Sequence, residues 1–222
     1  AMSDLLQQLW MQILLSVLFS AVCYFIGCTN GALLVSRSIL RDDVRNHGSG
    51  NAGLTNFYRS YGAKYALLVI LVDMGKAAVC VLLGGFLCGR FLPGTVLLGK
   101  YWAGLCCVLG HIYPVTEKFH GGKGILSAGT VMFFLGWQVA VCTWGAFLLM
   151  FLLTRYVSLG SVTAALMCPI ATYLVYGDWR LVLLASVIAG VILFAHRANI
   201  ARLLSGTENK FQIHSNKADQ GK

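Results

Sequence analysis

The sequence predicts an all-α integral membrane protein, and its composition, run lengths and proline usage each support this fold class. Of the 222 residues, 58% are hydrophobic and 11% are charged, whereas a soluble domain carries about 25% charged residues. The mean hydropathy is +0.74. Apolar runs approach the roughly 20 residues that a helix needs to cross a bilayer, and only three prolines interrupt the chain. We therefore expect a polytopic helical bundle rather than a β-barrel.

Six apolar runs divide the chain, and one of them is too long for a single crossing. They cover residues 14–35, 65–87, 101–112, 125–153, 162–176 and 181–195. The third is short unless it begins near Val96. A straight helix over 125–153 would measure about 43 Å, against a hydrocarbon core of about 30 Å. We expect this run to break near Gly136, although its first half is then shorter than a span.

The distribution of basic residues predicts the orientation. Residues 1–12 contain no Lys or Arg, whereas the first polar loop and the C-terminal segment hold five each. Lys and Arg are enriched on the cytoplasmic side of membrane spans, so the N-terminus is predicted outside and the C-terminus in the cytoplasm. That arrangement needs an odd number of crossings. Breaking the fourth run gives seven transmembrane helices, which we favour, and merging the last two runs gives the alternative of five.

The net charge and the cysteine pattern limit the classes of partner and cofactor that we expect. The net charge of +9 favours anionic headgroups or anionic substrates, and nucleic acid is not expected, because the basic residues are not interleaved with aromatic residues in a soluble module. The eight cysteines contain no CxxC pair, so neither a metal nor a redox cofactor is predicted. We expect one membrane-embedded domain over 1–208 and a polar, disordered tail over 209–222.

The first polar motif is GSGNAGLTNFYR, residues 48–59. Glycines allow positive φ and close approach of backbone amides to a ligand, and an arginine adds a planar fork suited to phosphate. A flexible loop between two helices would have a similar composition. The candidate binding residues of this motif are Gly48, Ser49, Gly50, Asn51, Gly53, Thr55, Asn56 and Arg59.

The second polar motif is HGGKG, residues 120–124. Gly121, Gly122 and Gly124 surround Lys123, which again combines bare backbone donors with a point charge. The motif precedes an apolar run, so a helix N-terminus would add its positive end. It is not a Walker A loop, because no Ser or Thr follows the lysine and the upstream glycine spacing is absent.

The third polar motif is HRANIARLL, residues 196–204, where the last apolar run ends. His196 and Asn199 are three residues apart and share a face if the helix continues. Arg197 and Arg202 are also compatible with ordinary cytoplasmic flanking residues, and His196 with an interfacial histidine. Inside the second apolar run, Asp73 and Lys76 share a helix face, and both a structural ion pair and a substrate contact remain open.

These motifs carry a specific resemblance. The runs GSGNAGLTNFYR, GHIYPVTEKFHGGKG and HRANIARLL, in this order, resemble the three motifs of the bacterial acyl-phosphate:glycerol-3-phosphate acyltransferase family (PlsY), and RYVSLGS resembles the segment between the second and third. The resemblance extends from about Ser36 to Glu208. Leu54 stands where the family usually has alanine, and both side chains are apolar.

The resemblance implies transfer of an acyl group from acyl phosphate to the 1-hydroxyl of sn-glycerol 3-phosphate, giving lysophosphatidic acid and phosphate for phospholipid biosynthesis. It implies a seven-helix enzyme of the bacterial inner membrane, with its site open to the cytoplasm and supplied by an acyl-phosphate-producing enzyme. Its catalytic positions would be Ser49, Arg59, Lys123, His196 and Asn199. Ser158, Ser161 and Arg197 would add substrate contacts. No metal and no cofactor are implied.

Three other functions are compatible with parts of this pattern. An anion transporter would need polar residues continuing through several spans, yet here the polar motifs cluster on one side. An acyl-CoA donor is opposed by the resemblance alone, and a non-enzymatic scaffold leaves the motifs unexplained. A His-x₄-Asp pair, His214 to Asp219, lies in the polar tail, and we interpret it as chance. Truncation after Gly206 should therefore leave activity intact.

Overall fold

The structure, a computed structural model, describes residues 2–211 and shows an all-helical chain over that range. Short 3₁₀ helices occupy Val44–Asn46 and Val115–Glu117. The α-helices are α1 (Met2–Cys28), α2 (Gly31–Ser38), α3 (Leu54–Tyr61), α4 (Ala66–Phe91), α5 (Val96–Ile112), α6 (Ile125–Leu135), α7 (Trp137–Thr154), α8 (Val157–Tyr176), α9 (Trp179–Ala195) and α10 (Arg197–Leu204).

The first apolar run is not one helix, which corrects the prediction of a continuous span over 14–35. Helix α1 ends at Cys28, and α2 begins at Gly31. Asn30 caps α2, because its side-chain oxygen accepts a hydrogen bond from the Leu33 amide at 3.0 Å. The break leaves the carbonyl of Thr29 free of the helix, where it accepts a hydrogen bond from Lys76 instead.

The predicted break near Gly136 is confirmed, since α6 and α7 are separate helices that meet at this residue. Merging the last two runs is wrong, because α8 and α9 are separate helices packed on one another. Five helices of the described residues are long and apolar enough to cross a membrane, and the bent pair of α9 and α10 would make a sixth. Helix α6 is a shorter apolar helix. The seven-span count and the orientation remain predictions.

Helix α5 lies at the centre of the bundle, in contact with α1, α4, α6 and α9. Small residues permit this close packing, which is typical of membrane helices. A Cβ atom on Gly27 of α1 would lie 2.3 Å from the backbone oxygen of Cys107 in α5, and one on Gly110 would lie 2.1 Å from that of Tyr24. Larger side chains at these two positions would force α1 and α5 apart.

The chain turns back after the last long helix. Helices α9 and α10 meet at His196 with a bend of 63°. The segment after α10 then returns to the bundle, where the Phe211 ring stacks on Tyr58 and contacts Phe151 edge-on. Phe211, near the start of the predicted tail, therefore packs against the bundle. His214 and Asp219 lie outside the described residues.

Candidate active site

One cavity of about 480 Å³ collects residues of all three polar motifs. It also receives Ser158 and Ser161, which lie in the first turns of α8 rather than in a polar break. The predicted site residues that line it are Ser49, Asn51, Gly53, Thr55, Asn56, Arg59, Lys123, Gly124, Ser158, Ser161, His196 and Asn199. Those that do not line it are Gly48, Gly50, Gly121, Gly122 and Arg197. Motifs far apart in sequence thus form a single site.

A chain of polar contacts crosses the cavity. Lys123 donates a hydrogen bond to the side-chain oxygen of Asn199. The Asn199 amide nitrogen donates to Glu208 Oε1 at 2.7 Å, and Ser158 Oγ donates to the same oxygen at 2.7 Å. Arg202 Nε donates to Glu208 Oε2 at 2.7 Å. Glu208 therefore occupies donors that a bound phosphate oxygen could also use.

Burial and neighbouring charges shift the protonation of these groups. The pKa of Lys123 is lowered to about 8, chiefly by desolvation and also by the cations of Arg202 and Arg59, against which Glu208 raises it. Desolvation alone would raise the pKa of Glu208, but the hydrogen bonds from Asn199, Ser158 and Arg202 outweigh it, so its pKa lies below the ordinary value. The lining of the cavity thus includes three cationic side chains, Arg59, Lys123 and Arg202, and two carboxylates, Asp73 and Glu208.

The first motif forms a loop held together by one of its own asparagines. Asn56 Oδ1 accepts from the Ser49 amide at 2.8 Å, and Asn56 Nδ2 donates to the carbonyls of Val44 and His47 at 3.0 Å each. Gly48 and Gly50 have φ of 55° and 70°, a region that favours glycine. Asn56 and these glycines thereby shape the loop that carries Ser49.

The second motif uses two of its amides within the protein. The Gly121 amide donates to the Ile112 carbonyl at 3.2 Å, and the Gly122 amide donates to the His111 carbonyl at 3.1 Å. These bonds tie the loop to the end of α5. These bonds also occupy two of the backbone amides that were predicted to bind phosphate. The Lys123 side chain is therefore the donor that the loop directs into the cavity.

The bend at the third motif places some of its side chains in the cavity and others outside it. Nδ1 of His196 lies 2.8 Å from the carbonyl of Ile192, which can only accept, so Nδ1 carries the proton and Nε2 is left as an acceptor. His196 and Asn199 are both buried and both line the cavity. Arg197 is exposed, with its guanidinium 4.4 Å from the ring centroid of Phe194. It therefore lies apart from the site.

Apolar side chains of α6 and α7 form another part of the cavity wall. Trp144 and Phe147 come from α7, and Ile125 and Leu126 come from the start of α6. The indole of Trp144 donates to the Gly129 carbonyl at 3.1 Å, which fixes its ring between α6 and α7. The cavity therefore combines cations for anionic groups with a wall suited to a hydrocarbon chain.

Comparison with known proteins agrees with this arrangement. The statistical model of the glycerol-3-phosphate acyltransferase family matches residues 17–206, which include every residue of the three motifs. The chain belongs to this glycerol-3-phosphate acyltransferase family. Glycerol-3-phosphate acyltransferases of Finegoldia magna and Mesorhizobium japonicum are 39% and 40% identical to it, over 90% and 84% of this chain and 98% and 91% of theirs.

Solved structures of the family share the fold. The glycerol 3-phosphate form of PlsY, an integral membrane glycerol 3-phosphate acyltransferase, matches with a TM-score of 0.78 and 34% identity over 88% of this chain and 95% of that chain. The lysophosphatidic acid form matches with a TM-score of 0.76 and 32% identity, over 89% and 95% respectively. The chain is therefore an integral, multi-span membrane glycerol-3-phosphate acyltransferase.

Sequence reasoning missed several lining residues. Arg202, interpreted as a possible flanking residue, lines the acyltransferase cavity together with Glu208 and Asn209. The signal for Arg202 was its place within the third motif. Glu208 sits at the predicted domain boundary, where a carboxylate among polar residues is typical of a tail. Trp144 and Phe147 lie in a uniformly apolar run, and nothing in that run distinguishes them.

Proposed function

We propose that this acyltransferase uses acyl phosphate as its donor and esterifies the 1-hydroxyl of sn-glycerol 3-phosphate. The glycerol oxygen forms a bond to the acyl carbon, the bond from that carbon to the phosphate oxygen breaks, and inorganic phosphate leaves with the hydroxyl proton. The product is lysophosphatidic acid. The observation that carries the proposal is a cavity whose lining has more cations (Arg59, Lys123 and Arg202) than carboxylates (Asp73 and Glu208), beside an apolar wall.

The cations of the cavity hold the two anionic reactants close to each other. Positioning and charge stabilisation supply most of the acceleration when the leaving group is already good. We assign one phosphate to Lys123, with Asn199 and Arg202 as further donors once Glu208 yields them. Arg59 and Ser49 would hold the other phosphate or the developing oxyanion. Asn51, Gly53, Thr55 and Gly124 line the same space.

His196 is placed to orient the attacking hydroxyl. Its Nε2 is an acceptor because Nδ1 is engaged with Ile192, so it can receive a hydrogen bond from the 1-hydroxyl. Ser158 and Ser161 would add contacts from α8. Because the leaving phosphate can take the proton, the reaction needs no separate general base. This suits a site in which the Glu208 carboxylate already receives three hydrogen bonds and the Asp73 carboxylate is paired with Lys76.

The donor is tested by turnover of the purified protein. We expect lysophosphatidic acid to form from glycerol 3-phosphate and acyl phosphate, and not from acyl-CoA under the same conditions. Lys123→Ala should abolish this turnover, and Arg197→Ala, in the same motif as Asn199 but outside the cavity, should retain it. Efficient turnover with acyl-CoA and none with acyl phosphate would overturn the proposal.

We also propose that the protein lies in the bacterial inner membrane with seven crossings, the N-terminus outside and the site facing the cytoplasm. There it would receive acyl phosphate from the enzyme that makes it. Cysteines introduced at Gln7 and Ser205, both exposed, should react with a membrane-impermeant thiol reagent from opposite sides of inverted and right-side-out vesicles. Labelling of both positions from one side would contradict the odd number of crossings.

A further inference from the structure

A buried cluster of three ionisable side chains borders the cavity, with Asp73 and His111 among the residues that line it, and the chemistry proposed above assigns it no part. Asp73 and Lys76 come from α4 and His111 from α5, with exposed fractions of 1%, 6% and 4%. Lys76 Nζ lies 2.9 Å from Asp73 Oδ1 and 2.6 Å from His111 Nδ1. Buried ion pairs are weak evidence for stability, because desolvation offsets much of their attraction. We therefore expect this cluster to have a role other than stability.

The hydrogen bonds of Lys76 fix the state of its neighbours. An ammonium has three donors and no acceptor. Lys76 uses them on Asp73, on the Thr29 carbonyl at 2.5 Å and on His111 Nδ1. His111 Nδ1 is therefore the acceptor, and Nε2 carries the ring proton. The three donors of Lys76 are thereby used, and the Nε2 edge of His111 lies on the other side of the imidazole from Lys76.

That edge faces the second motif. A Cβ on Gly122 would lie 2.2 Å from His111 Nε2 and 2.6 Å from the Ala52 carbonyl oxygen, so Gly122 fits closely between the imidazole and the first motif. The Gly122 amide also donates to the His111 carbonyl. Lys123 is the next residue, so the position of the imidazole constrains where its backbone begins.

The other side of the cluster reaches the first motif. Asp73 Oδ1 accepts from the Gly31 amide at 3.1 Å, at the start of α2. Asn30, directly before it, donates from Nδ2 to the Ala52 carbonyl at 2.9 Å. Ala52 lies within the first motif, and a Cβ on Gly122 would meet both its carbonyl oxygen and His111 Nε2. The break in the first apolar run therefore links the cluster to both loops.

We propose that Asp73, Lys76 and His111 form a positioning cluster that sets the spacing between the first-motif and second-motif loops, and so places Lys123 for glycerol 3-phosphate. The inference depends on the proposed role of Lys123 as a phosphate donor. A directional set of hydrogen bonds specifies one separation of the loops, whereas apolar packing of equal volume would tolerate several. In this role Asp73 and His111, which line the cavity, position the loops and exchange no proton with the substrate.

The test measures binding of glycerol 3-phosphate to purified protein in detergent, with no acyl donor present, beside steady-state kinetics. His111→Leu and the double variant Asp73→Asn with Lys76→Gln should weaken binding at least tenfold. His111→Gln, whose amide can accept from Lys76 and donate from its other atom, should stay within about threefold of wild type. The double variant keeps neutral hydrogen-bonding groups, so it remains informative if His111→Leu fails to fold.

The matched control is Thr172→Val, which removes the buried hydrogen bond of 2.7 Å between Thr172 and Tyr101 far from both loops in sequence. It should lower the melting temperature and leave the affinity for glycerol 3-phosphate unchanged. If the cluster variants behave in the same way, their role is structural and the inference fails. If His111→Gln binds normally but loses turnover as fully as His111→Leu, His111 acts on the substrate and the inference also fails.

The proposed function and the positioning cluster fail in different ways. If Lys123→Ala leaves the affinity for glycerol 3-phosphate unchanged, the proposed role of Lys123 is wrong, and the cluster loses its stated purpose. If Lys123→Ala weakens binding while the cluster variants do not, only the positioning inference is overturned.

Discussion

Lys123 donates a hydrogen bond to the side-chain oxygen of Asn199, a residue 76 positions later in the chain. The contact joins the glycine-rich loop before α6 to the first turn of α10. The orientation of the amide is set by Glu208, which accepts a hydrogen bond from Asn199 Nδ2 at 2.7 Å. The second and third motifs therefore meet through one directed pair of side chains.

Removal of either partner of this pair should impair catalysis strongly. Lys123→Ala and Asn199→Ala are each expected to lower kcat/KM for glycerol 3-phosphate by about 100-fold or more, the usual effect of losing one donor to developing negative charge. Steady-state kinetics on folded, purified protein measures this. Arg197→Ala, as the exposed control, should stay within about twofold. Near wild-type turnover in both cavity variants would remove the pair from the site.

The activity should decline on the alkaline side. Because the pKa of Lys123 is lowered to about 8 by burial and by Arg202 and Arg59, the free enzyme holds the lysine charged below that pH and neutral above it. We expect kcat/KM for glycerol 3-phosphate, which reports the free enzyme, to fall as pH rises through about 8. Arg202→Ala removes a repelling cation and should move this limb to higher pH. A limb unmoved in that variant would assign it to another group.

Gly122 should tolerate no side chain. A Cβ there would lie 2.6 Å from the Ala52 carbonyl oxygen and 2.2 Å from His111 Nε2, and the backbone contact cannot be relieved by a rotamer change. Gly122→Ala is expected to lose most activity. Gly145→Ala on α7 meets nothing within 4 Å and should be silent or slightly stabilising. Equal activity of the two variants would contradict the close packing of Gly122.

The ion pairs between the arginines of the first polar loop and two nearby carboxylates should weaken in acid. Arg37 and Arg45 both pair with Asp43 and Glu117, at distances of 2.6–3.1 Å. Hydrogen bonds from these arginines hold the pKa of both carboxyls below the ordinary range. Such groups stabilise the fold above their unfolded pKa of about 4 and lose that contribution as pH falls below it.

Glu117→Gln should therefore flatten the decline of the melting temperature between about pH 5 and pH 3, at a cost near neutral pH of about 1 kcal/mol or less, because these side chains are partly exposed. Thermal unfolding across this pH range measures the effect, with Asp178→Asn, in an exposed local pair with Arg180, as the control. A decline in Glu117→Gln as steep as that of wild type would assign the acid sensitivity elsewhere.

The position of a C-terminal truncation should matter sharply. A cut after Gly206 was expected to be harmless, but it removes Glu208 and the Phe211 ring, which contacts Tyr58 and Phe151. We expect a chain ending at Phe211 to keep its activity and one ending at Gly206 to lose it. Activity assays of the two truncated chains test this prediction. Full activity of the shorter chain would show that the segment 207–211 is dispensable.

Hydropathy and glycine spacing were enough to predict most of the architecture. The excessive length of one apolar run required a break, and Gly136 was the residue that could supply it. The three polar motifs were expected at one site because each combines hydrogen-bonding groups with cations, and the cavity brings together Ser49, Lys123 and Asn199. These features depend on local composition, which can be read directly from the sequence.

Other features depend on contacts that composition does not encode. The break at Thr29 and Asn30 lies in a run that is almost continuously apolar, and it is stabilised by Lys76 and Ala52 from distant parts of the chain. The amides of Gly121 and Gly122 are engaged with α5, which only the folded structure shows. Glu208 joins the cavity because the chain reverses after α10.

The surplus of positive charge in the cavity has a consequence for how the enzyme is handled at the bench. Any small dianion, including the orthophosphate that the reaction releases, should compete for Arg59, Lys123 and Arg202, since simple electrostatics does not distinguish a free phosphate from an esterified one. Turnover measured in phosphate or sulfate buffers would then understate the true rate, and progress curves should slow as released phosphate accumulates.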